Sequence, residues 1–565
     1  MRIFRSSKPT TSKVQTAIAA SFLVLVVFLF LPGCIGQEEE PETTTIVTTE
    51  EGKVTTKTLV TTMTKPLPTD LTTYIFGFSS DPSSLDPSVV FDDSSIQMGR
   101  VYETLVHVAP DMTVEPALAT SWDVSEDGLT WTFNLRQGVK FHDGSDFDAD
   151  AVKFSFERTI EMNKGAAYIL LVIDTMEATD KYTIKFTLTD PAPFDYILGS
   201  QYGAYIMSPS YVREHEVDGD LGQAWLAEHT SGTGPYMLTE WIHGQQIILQ
   251  KFDDYWGGWE GKHVDTVIIR VIRDTSTAAI LLAEGKLDST WTLPFETVDA
   301  VRDNADYIVV DSPTLHTYYW RINTKKPPTN DLNVRKALNY AFPYDEVIEV
   351  AFLGRYAERL YGPLPKGIWG YDDDPPLKYE FDLAKAADFL TLAGYPDGEG
   401  LPSIDLYYYS ANDPQRKMAE LYKSKLAEIG VTLNARAFPF NELLALSCCD
   451  PDGGPHLSAH DWWPTYTDPF DFLYGCWGTG QFFNWAFWEN SEFDDLVLEA
   501  NALSVVDKET AIEKYIDAQR MILEAANTIY LAEVKGVSVH RSWVHGWVFN
   551  FNYDHVVDYY SIYKE

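Results

Sequence analysis

The sequence predicts a protein of the α/β class with two or three domains. At 565 residues the chain is too long for one hydrophobic core. TWTFNL at 130–135 and VTLNARAF at 431–438 have the alternation or β-branched content of strands. Residues 382–393 have helical periodicity between a capping Asp382 and a closing Gly394. Helices alternating with strands favour an α/β fold. The other predicted elements are a buried strand at 264–272 and helices at 151–162 and 416–429.

The first 34 residues have the pattern of an export signal. Four basic residues precede a 15-residue run, Ala17 to Leu31, that carries no charge. The sequence LPGC that follows resembles a lipoprotein box, in which Cys34 becomes the lipidated first residue. An uncleaved N-terminal anchor helix is the alternative. Both interpretations place the rest of the chain outside the cytoplasmic membrane and tethered to it.

Residues 35–69 have the composition of a tether between the membrane and a folded domain. Positions 37–69 contain 12 Thr and no aromatic residue. Such a segment buries too little apolar surface to offset the conformational entropy lost on folding. We therefore expect a disordered, extended linker here.

The charge and the cysteines exclude several classes of protein. A net charge of −40 argues against nucleic-acid binding, which needs a basic surface, and against adsorption to anionic lipid. The four cysteines are too few for a disulfide scaffold, although Cys476 could pair with Cys448 or Cys449 in an oxidising compartment. No Cys or His spacing indicates zinc, and no cofactor is expected.

Aromatic residues are concentrated between Trp462 and Trp488. Twelve of these 27 residues are Trp, Tyr or Phe, against 14% of the whole chain. The rings alternate with Pro, Gly and a Thr-Asp-Pro turn, and rigid rings on irregular backbone are suited to contact a ligand. The segment is the candidate ligand-binding site.

Several ordered blocks resemble one family, the extracytoplasmic solute-binding proteins of ABC importers in the dipeptide, oligopeptide and nickel group (solute-binding protein family 5). The blocks are LTWTFNLRQGVKFHDGSDFDADAVKFSFER (129–158), GTGPYMLTEW (232–241), NVRKALNYAF (333–342), YGPLPKG (361–367) and AKAADFLTLAGYP (384–396). The likeness covers roughly residues 74–560. Most of these blocks have a structural interpretation, since glycines such as Gly138 and Gly232 suit turns.

The resemblance implies a two-lobed periplasmic-binding-protein-like fold, class II and of the large three-subdomain type, with a ligand cleft between the lobes. The first lobe would comprise 74–311 plus 540–565, and the second 312–539. Bound solute would stabilise the closed form, which the permease and ATPase subunits of the importer would recognise. The subunit would be a monomer without enzymatic activity.

The aromatic segment aligns with the family's ligand stretch, where peptide binders have a pattern like G-W-x-A-D-Y-x-D/E-P. Residues 461–469 read DWWPTYTDP, so Thr465 stands where peptide binders have the acid that pairs with the α-ammonium. An unpaired buried ammonium is very costly, which favours a neutral oligosaccharide such as a β-linked glucan. An oligopeptide or dipeptide is the alternative, and nickel is disfavoured. The candidate ligand contacts are Trp462, Trp463, Tyr466, Trp477 and Trp485 for stacking, with Asp461, Thr465 and Asn484 as polar partners.

Two other functions have weaker support. An exported glycoside hydrolase would need two carboxylates facing each other across a cleft, which the composition cannot exclude. No nucleophile elbow, P-loop or H-E-x-x-H motif occurs. Asp146, Asp148, Asp150 and Glu157 have the spacing of a calcium loop, but Ala151 stands where the sharp turn needs Gly.

Overall fold

The computed structural model describes residues 43–50, 53–60, 70–91, 99–553 and 556–565. The chain divides into two compact units, Met1–Pro66 and Leu67–Glu565. The predicted export signal and the lipidation site at Cys34 lie outside the described residues. Within the described residues, no helix is long and apolar enough to span a membrane.

In the first unit, β1 (Thr43–Glu50) pairs antiparallel with β2 (Lys53–Val60). The composition of 35–69 predicted a segment without regular structure, and the structure instead has a hairpin within it. The physical reason is the β-branched content of these residues, since Thr and Val favour extended backbone.

The second unit contains three larger sheets. The seven-stranded sheet consists, in spatial order, of β10 (Tyr236–Ile242), β11 (Gln246–Lys251), β12 (Thr266–Val271), β3 (Thr73–Phe78), β13 (Ser289–Thr290), β21 (Gly536–Arg541) and β14 (Tyr307–Ser312). The four-stranded sheet consists of β6 (Ala119–Val124), β7 (Thr130–Leu135), β9 (Thr183–Leu188) and β8 (Ile173–Asp180). We call the part of the chain built on these two sheets the first lobe.

The second lobe is built on a six-stranded sheet. Its strands, in spatial order, are β16 (Ala357–Arg359), β20 (Thr528–Val534), β15 (Thr317–Ile322), β19 (Leu457–Trp462), β17 (Ile404–Tyr409) and β18 (Leu433–Phe438). All six residues of β15 are buried, because helices cover both faces of the sheet. Two-stranded pairs complete the described strands: β4 (Val106–Val108) with β5 (Val114–Pro116), and β22 (Val544–His545) with β23 (Tyr563–Lys564).

Fourteen α-helices lie in the described residues. In the first lobe they are α1 (Ala149–Met162), α2 (Phe194–Leu198), α3 (Pro209–Glu214), α4 (Gln223–Leu226), α5 (Thr275–Ala283) and α6 (Phe295–Val301). In the second lobe they are α7 (Leu332–Tyr340), α8 (Tyr344–Phe352), α9 (Leu383–Leu392), α10 (Asp413–Glu428), α11 (Phe440–Ser447), α12 (Pro469–Trp477), α13 (Ser491–Leu503) and α14 (Lys508–Ala525).

Local signals in the sequence fix several of these elements. β7 spans the predicted residues 130–135. Asp382 caps α9 by accepting a hydrogen bond from Lys385 N, and Gly394 follows the helix with a φ of 90°. Asp148, one of the acids with calcium-loop spacing, caps α1 by accepting from Ala151 N. The predicted α/β fold is confirmed.

The chain passes between the lobes twice, and the two passages lie side by side. The first joins β14 to β15, and the second joins β20 to β21 through Lys535. The Thr314 hydroxyl donates to Val534 O, and Val534 N donates to His316 O at 2.9 Å. The lobe bounds 74–311 plus 540–565 and 312–539 stay a prediction, and β21 joins the first-lobe sheet from residue 536.

Gly232 serves a close approach of two backbones rather than a left-handed turn. A Cβ at this position would lie 1.9 Å from Val101 O, and one at Gly234 would lie 2.3 Å from Arg100 O. Neither glycine has a positive φ, whereas Gly138 has a φ of 79°, as the turn interpretation requires.

The structure decides the cysteine pairing that the sequence left open. Cys448 and Cys449 form a disulfide between adjacent residues, and Cys476 is a free, buried thiol in the core of the second lobe. The bridge from Cys476 to either of them, which the sequence left open, is therefore not formed in the structure. Cys476 faces inward from α12, where it packs among apolar side chains.

Candidate functional site

The candidate site is the loop that joins β19 to α12. Trp462 ends β19, and Asp468 begins α12 by accepting a hydrogen bond from Phe470 N at 2.9 Å. Pro469 is the first helical residue, where its missing N–H costs nothing. Residues 463–468 therefore form a short irregular connection held at both ends by regular structure.

This loop contacts the first lobe directly. Thr465 Oγ1 and Tyr168 Oη share a hydrogen bond of 2.6 Å, and Ser200 Oγ donates to Thr465 O at 2.7 Å. Trp463 Nε1 donates to Tyr202 Oη at 3.2 Å. The lobes therefore meet at this loop in the structure, through side chains of the predicted site.

Tyr466 also crosses from the second lobe to the first. Its side chain is buried in the hydrophobic core next to the four-stranded sheet, and the other buried residues of that core belong to the first lobe. Its burial raises the pKa of its hydroxyl well above the ordinary value of tyrosine.

Trp477, Trp485 and Asn484 lie inside the second lobe. Trp477 is fully buried, donates from Nε1 to Thr528 Oγ1 at 3.1 Å, and stacks on the Arg321 guanidinium. Trp485 stacks on His460 with ring centroids 4.2 Å apart. Asn484 Nδ2 donates to three carbonyl oxygens of its own segment. These contacts are structural, and a role of the three residues in ligand binding stays a prediction.

Asp461 lies at the passage between the lobes. His316 Nε2 is 3.0 Å from Asp461 Oδ2, and Gln415 Nε2 donates to Asp461 Oδ1 at 3.4 Å. Burial alone would raise the pKa of this carboxyl, but the hydrogen bond from His316 lowers it below its usual range. Asp461 therefore holds His316, a residue of the first passage between the lobes, by a hydrogen bond. The His316 ring also contacts the Trp463 ring edge to face, with ring centroids 5.1 Å apart.

A buried carboxyl group that sequence reasoning missed lies beside Thr465. Asp471 Oδ2 accepts a hydrogen bond from Thr465 N at 2.8 Å, and Asp471 is 3% exposed. Burial raises the pKa of Asp471 to about 8 and that of Asp468 to about 7. Asp468-Pro469-Phe470-Asp471 has the signal of a helix start with an acid in its first turn, and a first-turn acid reaches back toward the preceding loop.

A cavity of about 420 Å³ opens beside Asp471 and is bounded by both lobes. The first lobe contributes residues between 168 and 197, and the second contributes residues between 466 and 502. The volume lies in the usual range of small-molecule sites. Its described lining includes the aromatic side chains Tyr168, Tyr466, Phe470 and Tyr474 and the polar side chains Asp190, Asp471, Gln481 and Asn501.

Metal binding finds no support in this region. Among the described residues, no group of three or more His, Cys, Asp or Glu side chains could hold a metal ion. His456 Nδ1 accepts from Asp405 N at 3.0 Å, and His456 Nε2 contacts Pro327 O. His456 is thus occupied by backbone contacts in the second lobe.

Comparison with known proteins identifies the family. Residues 113–484 match the model of bacterial extracellular solute-binding proteins, family 5. The chain is 31% identical to a probable D,D-dipeptide-binding periplasmic protein, DdpA, of Escherichia coli K12, over 84% of this chain and 91% of that protein. It is 32% identical to the glutathione-binding protein GsiB of Pectobacterium atrosepticum, over 84% and 90%.

A solved structure agrees with these relatives. The periplasmic binding protein DppA of Helicobacter pylori, in complex with the peptide STSA, superposes with a TM-score of 0.77 at 31% identity. The likeness covers 87% of this chain and 98% of that one. The chain therefore belongs to family 5 of the bacterial extracellular solute-binding proteins.

Proposed function

We propose that the protein captures short peptides with a free amino group between its two lobes and delivers them to a membrane permease. As a member of its family, the chain is the extracytoplasmic solute-binding component of an ABC importer and is not an enzyme. The observation that carries the choice of ligand site is the cavity beside Asp471, because side chains of both lobes border it. A solute held there favours the closed arrangement of the lobes.

The names of the relatives support the alternative that the sequence left open, an oligopeptide, over the oligosaccharide that it favoured. DdpA is named for D,D-dipeptides and GsiB for glutathione, and the DppA structure holds a peptide. The argument for a sugar also depended on a site without a carboxylate at Thr465. The carboxyl group of Asp471 accepts a hydrogen bond from the Thr465 backbone amide, and we infer that it takes the place of the missing acid.

We also infer that the protein is held at the outer face of the membrane by its N-terminus. The basic head, the apolar run to Leu31 and Cys34 support this part of the proposal. Mass spectrometry of the membrane-extracted protein tests it: a mature chain that begins with a diacylated Cys34 is expected. A chain that still begins at Met1 would favour the anchor helix.

Thermal unfolding of the full-length protein in detergent, followed by tryptophan fluorescence, tests the ligand class. The panel contains di- to pentapeptides, the same peptides with acetylated amino termini, and gluco-, manno- and xylo-oligosaccharides. A specific ligand at 100 times its Kd stabilises the folded state by about 2.7 kcal/mol. We expect free-amine peptides to raise the melting temperature. Stabilisation by oligosaccharides alone would overturn the peptide assignment.

A further inference from the structure

The cavity beside Asp471 has the electrostatic character of a cation site. Its described lining contains two carboxyl groups, Asp190 at the exposed rim and Asp471 inside, and no Lys, Arg or His. Four aromatic side chains border the same space. Carboxylates and the faces of aromatic rings both attract an ammonium group.

Asp471 has no compensating charge within the protein. Among the described residues, no basic side chain forms an ion pair with it, and it is 3% exposed. Its nearest acidic neighbour in the sequence, Asp468, is also buried and destabilises the ionised form further. Ionisation of a buried carboxyl group without a cation is costly, which is why burial raises the pKa of Asp471 to about 8, and an enclosed ammonium group would favour its ionised form.

We propose that Asp471 binds the ammonium group of the solute inside this cavity. The proposal rests on the proposed function and locates its specificity: recognition of the amino group comes from the first turn of α12 and not from position 465. Thr465 then acts as a positioning residue, since its backbone N–H fixes one oxygen of the Asp471 carboxylate. Acetylated solutes lack the positive charge and would leave Asp471 without a cation, so its carboxyl group would stay protonated.

A double-mutant cycle between protein and ligand tests the assignment. Calorimetry on the full-length protein compares tri-alanine with N-acetyl-tri-alanine for the wild type, Asp471→Asn and the control Asp468→Asn. Removing one partner of a buried charge pair weakens binding about 30-fold or more. We expect that loss for tri-alanine on Asp471→Asn. We also expect this variant to bind both peptides within about threefold of each other.

Asp468→Asn is the matched control. It removes a buried carboxyl group three residues from Asp471 that does not border the cavity. The helix should tolerate the change, because Asn also caps helices. It should bind tri-alanine within about threefold of the wild type. If Asp471→Asn also retains wild-type affinity, the inference is overturned and the proposed function survives. If the wild type binds neither peptide, both are overturned.

A second variant tests the cavity without altering Asp471. Gly475 borders the cavity from α12, and a Cβ added there meets no atom within 4 Å, so Gly475→Leu fills space without a backbone clash. We expect it to abolish tri-alanine binding while its melting temperature stays at or above that of the wild type. Undiminished binding by this variant would place the ligand elsewhere.

Discussion

Asp468 and Asp471 are two buried carboxyl groups at the start of one helix, the first as its N-cap and the second in its first turn, and burial is the main reason for their raised pKa values. Each accepts one backbone hydrogen bond, from Phe470 N or Thr465 N, which only partly offsets the loss of hydration. Both groups therefore hold a proton in the folded protein at pH values where an exposed Asp has lost it.

This difference makes stability depend on pH. An exposed Asp ionises near 3.8, whereas Asp471 in the folded state ionises at about 8. Between these values the folded state binds more protons, so the free energy of unfolding falls as pH rises, by about 1.4 kcal/mol per pH unit for each such group.

We expect the melting temperature of the wild type to fall between pH 5 and pH 8, and Asp471→Asn to remove a large part of that fall. Thermal unfolding of both proteins in the absence of peptide measures it. Asp413→Asn is the control, since that exposed helix-end carboxyl has a lowered pKa and should leave the decline in place. Parallel curves for wild type and Asp471→Asn would contradict the assignment.

At the scale of elements, the loop around Gly232 is fixed by contact between main chains. His142 N donates to Gly232 O, and Gly234 N donates to Val101 O, so three segments of the first lobe meet here. A Cβ at Gly232 would overlap the carbonyl oxygen of Val101. This oxygen belongs to the backbone, so it cannot move aside as the end of a flexible side chain could.

We expect Gly232→Ala to lower the free energy of unfolding by about 3 kcal/mol or more. Gly362→Ala is the matched control: that glycine is also buried, has no positive φ, and a Cβ there meets nothing within 4 Å. It should be neutral or slightly stabilising, because Ala restricts the unfolded chain. Melting temperatures of the two variants measure the difference, and equal values would argue against the contact.

The ends of helices could be predicted from the sequence where residues close in the chain determine them. Asp382 and Gly394 mark the ends of α9 by capping chemistry that acts within a few residues. The role of Gly232 was not predictable, because its partner Val101 lies more than a hundred residues away. The state of Cys476 could not be decided from the sequence for the same reason: its burial in the second-lobe core depends on contacts between distant parts of the chain.

The candidate site was predictable as a segment and less so as a set of side chains. Aromatic density and the aligned pattern located residues 461–488, and Thr465 and Trp463 do lie against the first lobe. Composition could not tell which rings pack inward, and Trp477 is fully buried on Arg321. Asp471 was missed because the sequence does not show that the loop folds back against the first helical turn, which brings Thr465 N to within 2.8 Å of Asp471 Oδ2.

At the scale of the whole molecule, the contacts around Thr465 are among those that hold the two lobes together in the structure. The hydrogen bond between Tyr168 and Thr465 joins the two lobes outside the paired passages at Val534. Because any bond between the lobes opposes their rotation about the hinge, its removal should favour opening.

We expect Tyr168→Phe to shift the unliganded protein toward open forms and to raise its radius of gyration in X-ray scattering. One such hydrogen bond contributes about 1 kcal/mol, enough to change the ratio of closed to open forms roughly fivefold. Tyr408→Phe, a half-buried tyrosine of β17, serves as the control and should scatter like the wild type. Identical profiles for Tyr168→Phe and the wild type would contradict the expectation.

The direct bonds between Thr465 and the first lobe have a cost for the importer as a whole. Each bond that the lobes form with one another is available to an empty protein as well as to a loaded one. If an empty protein that closes has the same outline as a loaded one, we expect the permease to accept it and the transporter to hydrolyse ATP without moving a solute. Weak hydrogen bonds between the lobes would then limit this wasted hydrolysis.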